Sequence, residues 1–239
     1  GPVTIDGLIY TNWANNALTL HGGWDGITGS TTIASNSVFS VPITITNWNN
    51  GIIIQNIDAP LIALSNVTVS NGNNVSVGNE NDIYGSANIH SNVTMDNIRV
   101  TDSTRTNIDG YYIPGIYVNI LGAVTANNIT ASGNAANGVH LVSSGNITLS
   151  QITANGNSYI GAVFGGVNGI TMTGTNIFNN NGSTGLIAYS TGNMNLNNIT
   201  ANGNGIYAYD TDGSGAVLST NSGNITLAGT NTFNDNWFN

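Results

Sequence analysis

Residues 124–164 read VTANNITASGNAANGVHLVSSGNITLSQITANGNSYIGAVF and contain almost two copies of one 23-residue unit. Part of this unit is a glycine followed by an apolar residue, any residue and a second apolar residue. The same pattern recurs along the chain as Gly115-Ile116-Tyr117-Val118, Gly138-Val139-His140-Leu141, Gly161-Ala162-Val163-Phe164, Gly185-Leu186-Ile187-Ala188 and Gly205-Ile206-Tyr207-Ala208. A period of this length is typical of repeat proteins, in which each repeat stacks on its neighbours.

Two further segments recur with the same period. One is Asn-Ile-Thr or a variant of it, and the other is a stretch of alternating apolar and polar residues that begins at Val124 and again at Ile147. All three segments are rich in β-branched residues and are separated by Asn, Gly or Ser, which indicates short strands joined by turns. Such strands cannot bury a face alone, but coiling pairs each strand with its equivalent one turn away. The sequence therefore predicts an all-β solenoid, a parallel β-helix with three short strands in each rung of about 22–24 residues.

The repeat is less regular in the first part of the chain. We expect one β-helix domain over residues 1–239, with irregular rungs in 1–92 and regular rungs in 93–239. Gly51-Ile52-Ile53-Ile54 follows the glycine-apolar pattern, and we interpret Gly7-Leu8-Ile9-Tyr10 as an earlier copy of it.

Composition restricts the classes of partner. The chain has two basic and eleven acidic residues, for a net charge of -9, and it contains no cysteine. Nucleic acid is excluded as a partner because phosphate binding needs clustered Lys or Arg. Only 5% of residues are charged, so solubility must come from Asn, Thr, Ser and Gly, which suits an extracellular or cell-surface protein. No run of about 18 apolar residues occurs, so we predict no membrane span.

The asparagines follow the same period as the strands. Five residues beyond an apolar position of the second segment lies an asparagine, which gives the set Asn50, Asn134, Asn157 and Asn204. A side-chain amide has both donors and an acceptor, so stacked copies can bond to each other and to the backbone of the turns. We predict an asparagine ladder, although a preference of turns for asparagine also explains the residue type.

At this point the chain resembles a known group of proteins. Gly145-Asn146-Ile147-Thr148-Leu149, the stretch 198–204 and Gly229-Thr230-Asn231-Thr232-Phe233 are similar to the Asn/Thr/Gly-rich repeats of large bacterial surface adhesins and filamentous-haemagglutinin-like exoproteins. These belong to the pectate-lyase-like right-handed parallel β-helices, and the likeness covers about residues 93–239. The resemblance implies a right-handed coil and an extracellular or cell-surface location.

The resemblance also bears on activity. Enzymes of the group that cleave polygalacturonic acid carry paired Asp residues, a Gly-His-Gly and an Arg-Ile-Lys, or else a calcium site with a basic residue as the proton acceptor. The sequence has none of these motifs, so we predict that the protein is not an enzyme.

Two loops hold candidate ligand-binding residues. In Asp210-Thr211-Asp212-Gly213, Asp210 and Asp212 are alternate carboxylates before a glycine and are candidate calcium ligands, with a plain polar turn as the alternative. Trp24 lies in a long loop and is a candidate for stacking on a glycan. Otherwise the sequence predicts no cofactor.

The middle residue of each glycine-apolar strand should face outward, and most of these residues are apolar. The stripe consists of Ile9, Ile53, Tyr117, His140, Val163, Ile187 and Tyr207. An exposed apolar stripe favours a face for assembly or ligand binding, whereas a covering loop would remove it from solvent.

The end of the sequence suggests how copies could associate. Gly229–Asn236 repeats Gly174–Asn181, but the sequence stops before the expected next strand. We hypothesise that the Val3–Tyr10 region of another copy supplies this strand and gives a head-to-tail fibre; a part of a larger surface adhesin is the alternative. The sequence thus favours an extracellular structural or adhesive protein, and the alternative is a carbohydrate-binding or polysaccharide-cleaving β-helix.

Overall fold

The computed structural model describes residues 3–22, 35–70, 72–80, 85–107, 109–205 and 213–237. In these ranges the strands are β1 (Val3–Asp6), β2 (Leu18–His21), β3 (Ser37–Val38), β4 (Ile43–Trp48), β5 (Ile52–Gln55), β6 (Ile57–Asp58), β7 (Leu61–Val69), β8 (Val75–Val77), β9 (Asn92–Thr101), β10 (Ile116–Ile120), β11 (Val124–Ser132), β12 (Val139–Ser143), β13 (Asn146–Thr153), β14 (Ala162–Gly166), β15 (Gly169–Thr173), β16 (Asn176–Ile177), β17 (Leu186–Ser190), β18 (Asn193–Asn197), β19 (Ile199–Thr200), β20 (Ala216–Thr220) and β21 (Ile225–Ala228).

The strands form two long parallel sheets. Sheet A runs in the order β1-β4-β7-β9-β11-β13-β15-β18-β21, with β16 and β19 beside this path, and sheet B runs β2-β5-β8-β10-β12-β14-β17-β20. The chain alternates between the sheets, so each strand pairs with its equivalent one turn away. The fold is therefore a parallel β-helix, as the repeat predicts, and its coil is right-handed, as the resemblance implies.

In most rungs, two of the three predicted short strands join into one long strand of sheet A. In β7, β9 and β11 the strand bends at Asn66, Asn97 and Asn128, whose φ angles are 52°, 54° and 51°. Asparagine tolerates this left-handed conformation better than most residues with a side chain. Each rung thus presents three faces to the core, two from a bent strand of sheet A and one from sheet B.

The core is a set of apolar columns inside the coil. Val124, Ile147 and Ile170 occupy equivalent positions in successive rungs and are at most 1% exposed. Phe164 of sheet B meets Phe178 edge to face, with 6.4 Å between the ring centroids. Removal of these side chains from water in every rung is the main driving force for stacking, because strands this short bury little by themselves.

The first rung differs from the prediction. Gly7–Tyr10 is not a strand of sheet B but part of a turn between β1 and β2, and Ile9 is 72% exposed there. Leu18 of β2, not Leu8, pairs with Ile52. The turn is hydrogen-bonded to the rung above through the Trp48 indole Nε1, which donates to Asn16 O at 2.9 Å. The glycine-apolar pattern was misleading here because it also fits a turn that packs on a neighbouring rung.

Candidate functional sites: amide ladders and the outer face of sheet B

A buried asparagine ladder runs along the turns that lead into sheet B. Its members are Asn134, Asn157, Asn181, Asn204 and Asn236, all at most 9% exposed. The Nδ2 of each donates to the Oδ1 of the next, at 2.8, 3.0, 3.0 and 2.9 Å along the series. Each of these Oδ1 atoms also accepts from the backbone N–H of the preceding ladder residue, at 3.0 Å. The side chains thereby satisfy turn groups that would otherwise be buried without partners.

The structure brings three of the four predicted asparagines into this ladder and adds two that sequence reasoning missed. Asn181 and Asn236 also lie five residues after the position from which the count starts in the other rungs. In their two rungs this position holds an asparagine and not an apolar residue, so the count missed them. Asn176 pairs in register with Ile199, which shows the equivalence. Counting from the strand register instead of from an apolar residue would have found both.

Asn50 lies outside the ladder, which corrects the sequence prediction. Trp48, and not Ile45, is in register with Ile129 through the intervening strands. The count of five residues therefore began three positions too early. Asn50 instead accepts a hydrogen bond from Asn73 Nδ2 at 2.8 Å in the N-terminal rungs.

A second amide ladder lies on the exposed corner where the strands of sheet A bend. Asn66 donates through Nδ2 to Asn47 Oδ1 at 3.3 Å, Asn97 to Asn66 at 2.9 Å, and Asn128 to Asn97 at 3.1 Å. All four residues have positive φ. The sequence signal for this ladder was the asparagine that precedes an apolar residue at the second segment, as in Asn128-Ile129-Thr130.

The predicted outward stripe is in register but most of it is covered. Ile53, Tyr117, His140, Val163 and Ile187 occupy one column on the outer face of sheet B, with Ser76 between Ile53 and Tyr117. Tyr117 is 0% exposed, His140 6% and Val163 8%. The interpretation as an exposed apolar stripe is therefore wrong for these rungs, and Ile9 is not in the column at all.

Part of the cover comes from the segments that leave β8 and β9. Asn119, on the same face as Tyr117, donates through Nδ2 to Gly85 O at 2.9 Å. The carboxylate of Glu80, whose side chain is 6% exposed, forms an ion pair with the Arg105 guanidinium and so joins the two segments. The column is open at both ends of sheet B, at the exposed Thr19 in the first rung and at Val217, which is 43% exposed, in the last.

Among the described residues, His140 is a buried histidine whose pKa is strongly lowered. Its ring meets Tyr117 edge to face with 5.8 Å between centroids, and its Nδ1 has no hydrogen-bond partner in the described part of the chain. Burial lowers the pKa of His140 from 6.5 to about 4, because the charged imidazolium loses its hydration there. The ring is therefore neutral at pH 7.

The remaining predicted sites lie outside the described residues. Asp210 and Asp212, the candidate calcium ligands, are among these, as are Trp24 and Tyr207. Within the described ranges, no cluster of three or more His, Asp or Glu residues is arranged to hold a metal ion. None of the described segments is a helix long and apolar enough to cross a membrane.

The stacked rungs and their amide ladders define a solenoid of the parallel β-helix class. The chain belongs to the right-handed beta helix region family, whose model matches residues 114–239. That family includes pectate-lyase-like enzymes and proteins without enzymatic activity. Comparison with curated proteins and with solved structures finds no match.

Proposed function

We propose that this β-helix is an extracellular structural or adhesive protein whose copies associate head to tail, and that it is not an enzyme. The observation that carries the proposal is that, in the residues the structure describes, the first and last rungs both present apolar side chains and strand edges without a pairing strand. The low content of charged residues, 5%, supports a place on a cell surface or outside the cell.

An open cavity of about 680 Å³ lies at the C-terminal end, and its walls are partly apolar and partly polar, with Asp235 among them. Ala216, Leu218, Leu227 and Phe233 line it together with polar residues of the last turn. Leu227 is 45% exposed, whereas Leu196, its equivalent one rung earlier, is 1% exposed. The strands β20 and β21 are paired on one side only in the described residues. Such edges invite the addition of another strand.

The N-terminal end carries a cluster of exposed apolar side chains. Leu8 and Ile9 are each 72% exposed, and the ring of Trp13, 67% exposed, stacks on Tyr10 with 6.0 Å between centroids. In the described residues β1 pairs only with β4, so its other edge is free. Val3–Asp6 already belongs to sheet A of its own copy. We therefore propose that the free edge of β1 pairs with the C-terminal end of another copy, while the turn that contains Leu8 and Ile9 enters the cavity of that copy.

The two ends differ, so a contact between the head of one copy and the tail of another is heterologous. A dimer formed in this way still has one free head and one free tail. A protruding apolar group that fits a cavity elsewhere on the same molecule produces open chains of subunits. All strands of the solenoid are parallel, so head-to-tail contact also continues both sheets in the same direction.

Ile9→Glu and Leu227→Glu test the proposal by placing a charge at one end each. We expect the wild-type protein to form fibres at high concentration in negative-stain micrographs, and each variant to stay monomeric. An equimolar mixture of the two variants should form dimers by size-exclusion chromatography with light scattering, because one intact head and one intact tail remain. This expectation follows from the cost of burying an unpaired carboxylate.

Tyr111→Glu is the matched control, since Tyr111 is 69% exposed but lies on a loop away from both ends. It should form fibres as the wild type does. Strictly monomeric wild-type protein at millimolar concentration would contradict the proposal, and so would a mixture of the end variants that remains monomeric.

A further inference from the structure

A small cavity of about 240 Å³ lies on the open part of the outer face of sheet B. Its walls include the apolar side chains of Val142, Val167 and Tyr189 and the polar residues Thr191, Ser219 and Asn221. Among the residues that the structure describes, none of those lining it is charged. One of its lining residues, Ser219, belongs to β20 at the C-terminal end of sheet B, whereas Tyr189 and Val167 lie in the two preceding rungs.

The position of Tyr189 depends on a glycine one rung earlier. Gly165 and Tyr189 pair in register between β14 and β17. A Cβ atom placed on Gly165 would lie 2.5 Å from three atoms of the tyrosine side chain, including Cζ and the hydroxyl oxygen. The tyrosine thus lies across the sheet over the glycine, and any larger residue there would displace it.

Tyr189 and Val167 are accessible from solvent, at 45% and 51% exposed. Partial burial also raises the pKa of the Tyr189 hydroxyl above its usual value, so the hydroxyl is protonated and can donate a hydrogen bond at neutral pH. An accessible aromatic ring with an apolar wall beside it and hydroxyl and amide groups at the rim is suited to a ligand with one apolar face and a polar edge.

We propose that this cavity binds one neutral sugar residue, whose ring stacks on Tyr189. The C–H face of a sugar ring contacts the aromatic and valine surfaces, while its hydroxyl groups exchange hydrogen bonds with Ser219 and Asn221. The Thr191 hydroxyl already donates to Val167 O, so it accepts a hydrogen bond from the sugar. An acidic sugar is disfavoured because the described residues that line the cavity include no cationic side chain and the whole protein carries a net charge of -9. The site would give the solenoid a ligand on its side, on the face of β20 opposite to Ala216 and Leu218, which line the end cavity.

Saturation-transfer NMR on monomeric protein tests this inference with four probes: the methyl glycosides of glucose, galactose and N-acetylglucosamine, and galacturonate. We expect at least one neutral glycoside to bind with a dissociation constant on the order of 1–10 mM. Galacturonate should give no signal. Tyr189→Ala should weaken binding about tenfold, because the stacking surface is lost.

Two further variants keep the test specific. Gly165→Ala retains the tyrosine but pushes its ring off the sheet, so it should weaken binding to a similar extent. Tyr159→Ala, which removes a tyrosine of similar exposure (52%) from a turn, should bind as the wild type does. Absence of saturation transfer with all neutral glycosides, equal binding by Tyr189→Ala, or loss of binding in the Tyr159 variant would overturn the inference. None of these outcomes depends on whether the protein forms fibres.

Discussion

Replacing Asn157 with alanine is expected to lower the free energy of unfolding by about 4 kcal/mol. The Asn157 side chain accepts from Asn134 N and Nδ2 and donates to Ala131 O and Asn181 Oδ1, all between 2.8 and 3.1 Å. Alanine leaves these groups buried without partners, at about 1–3 kcal/mol for each group that water cannot reach. Urea unfolding followed by circular dichroism measures the loss.

Asn128→Gly is the matched control for this prediction. Asn128 also belongs to an amide ladder, but on the exposed corner, where water replaces the lost bond to Asn97. Glycine accepts the positive φ of 51° at this position. We expect a loss of less than about 1 kcal/mol. If the two variants lose the same free energy of unfolding, the buried ladder does not stabilise the fold more than the exposed one, and the prediction is wrong.

Acidification from pH 7 to pH 4 is expected to cost the protein about 3 kcal/mol of stability through His140 alone. Burial holds the pKa of His140 at about 4, against 6.5 for the free side chain. The unfolded chain therefore binds a proton more readily than the folded one. The stability is complete above pH 6.5 and declines as the pH falls toward 4, by about 1.36 kcal/mol for each pH unit.

His140→Phe should remove this dependence, because phenylalanine cannot be protonated. An apolar residue fits the column, since Val163 and Ile187 occupy the same position in the next two rungs. The measurement is urea unfolding of both proteins at pH 7 and pH 4, in which other titrating groups cancel from the difference. His90→Gln, at an exposed histidine, is the control and should lose stability as the wild type does. The prediction fails if the His140 variant is as sensitive to acid as the wild type.

The repeat predicted the fold in the regular rungs because the number of residues in one sequence repeat there equals the number of residues in one turn of the β-helix. Val139 and Ala162 are 23 residues apart in sequence and lie side by side in sheet B. Buried turn positions such as Asn134 and Asn157 follow the same spacing, so their ladder was also accessible from the sequence.

The N-terminal rungs were harder because their lengths vary. Ile43 pairs with Ile62, only 19 residues away, and Ile62 pairs with Val93, which is 31 residues away. Without a constant rung length the register of Trp48 with Ile129 was not visible, so the five-residue count started at Ile45 and placed Asn50 in the wrong column. Period-two alternation correctly put His140 on the outer face of sheet B, but it contains no information about which segments fold over that face.

Chemical ageing of the protein follows from the buried ladder. Asn181 and Asn204 are each followed by glycine, and asparagine is among the thermolabile residues. Deamidation at either position would exchange a group with two donors for a carboxylate, which has none, and would leave a negative charge inside the turn. As long as the rungs remain stacked, both amides are held in place by hydrogen bonds on either side. Deamidation at these two positions should therefore depend on how often a rung opens, unlike at Asn168, which also precedes a glycine but is exposed.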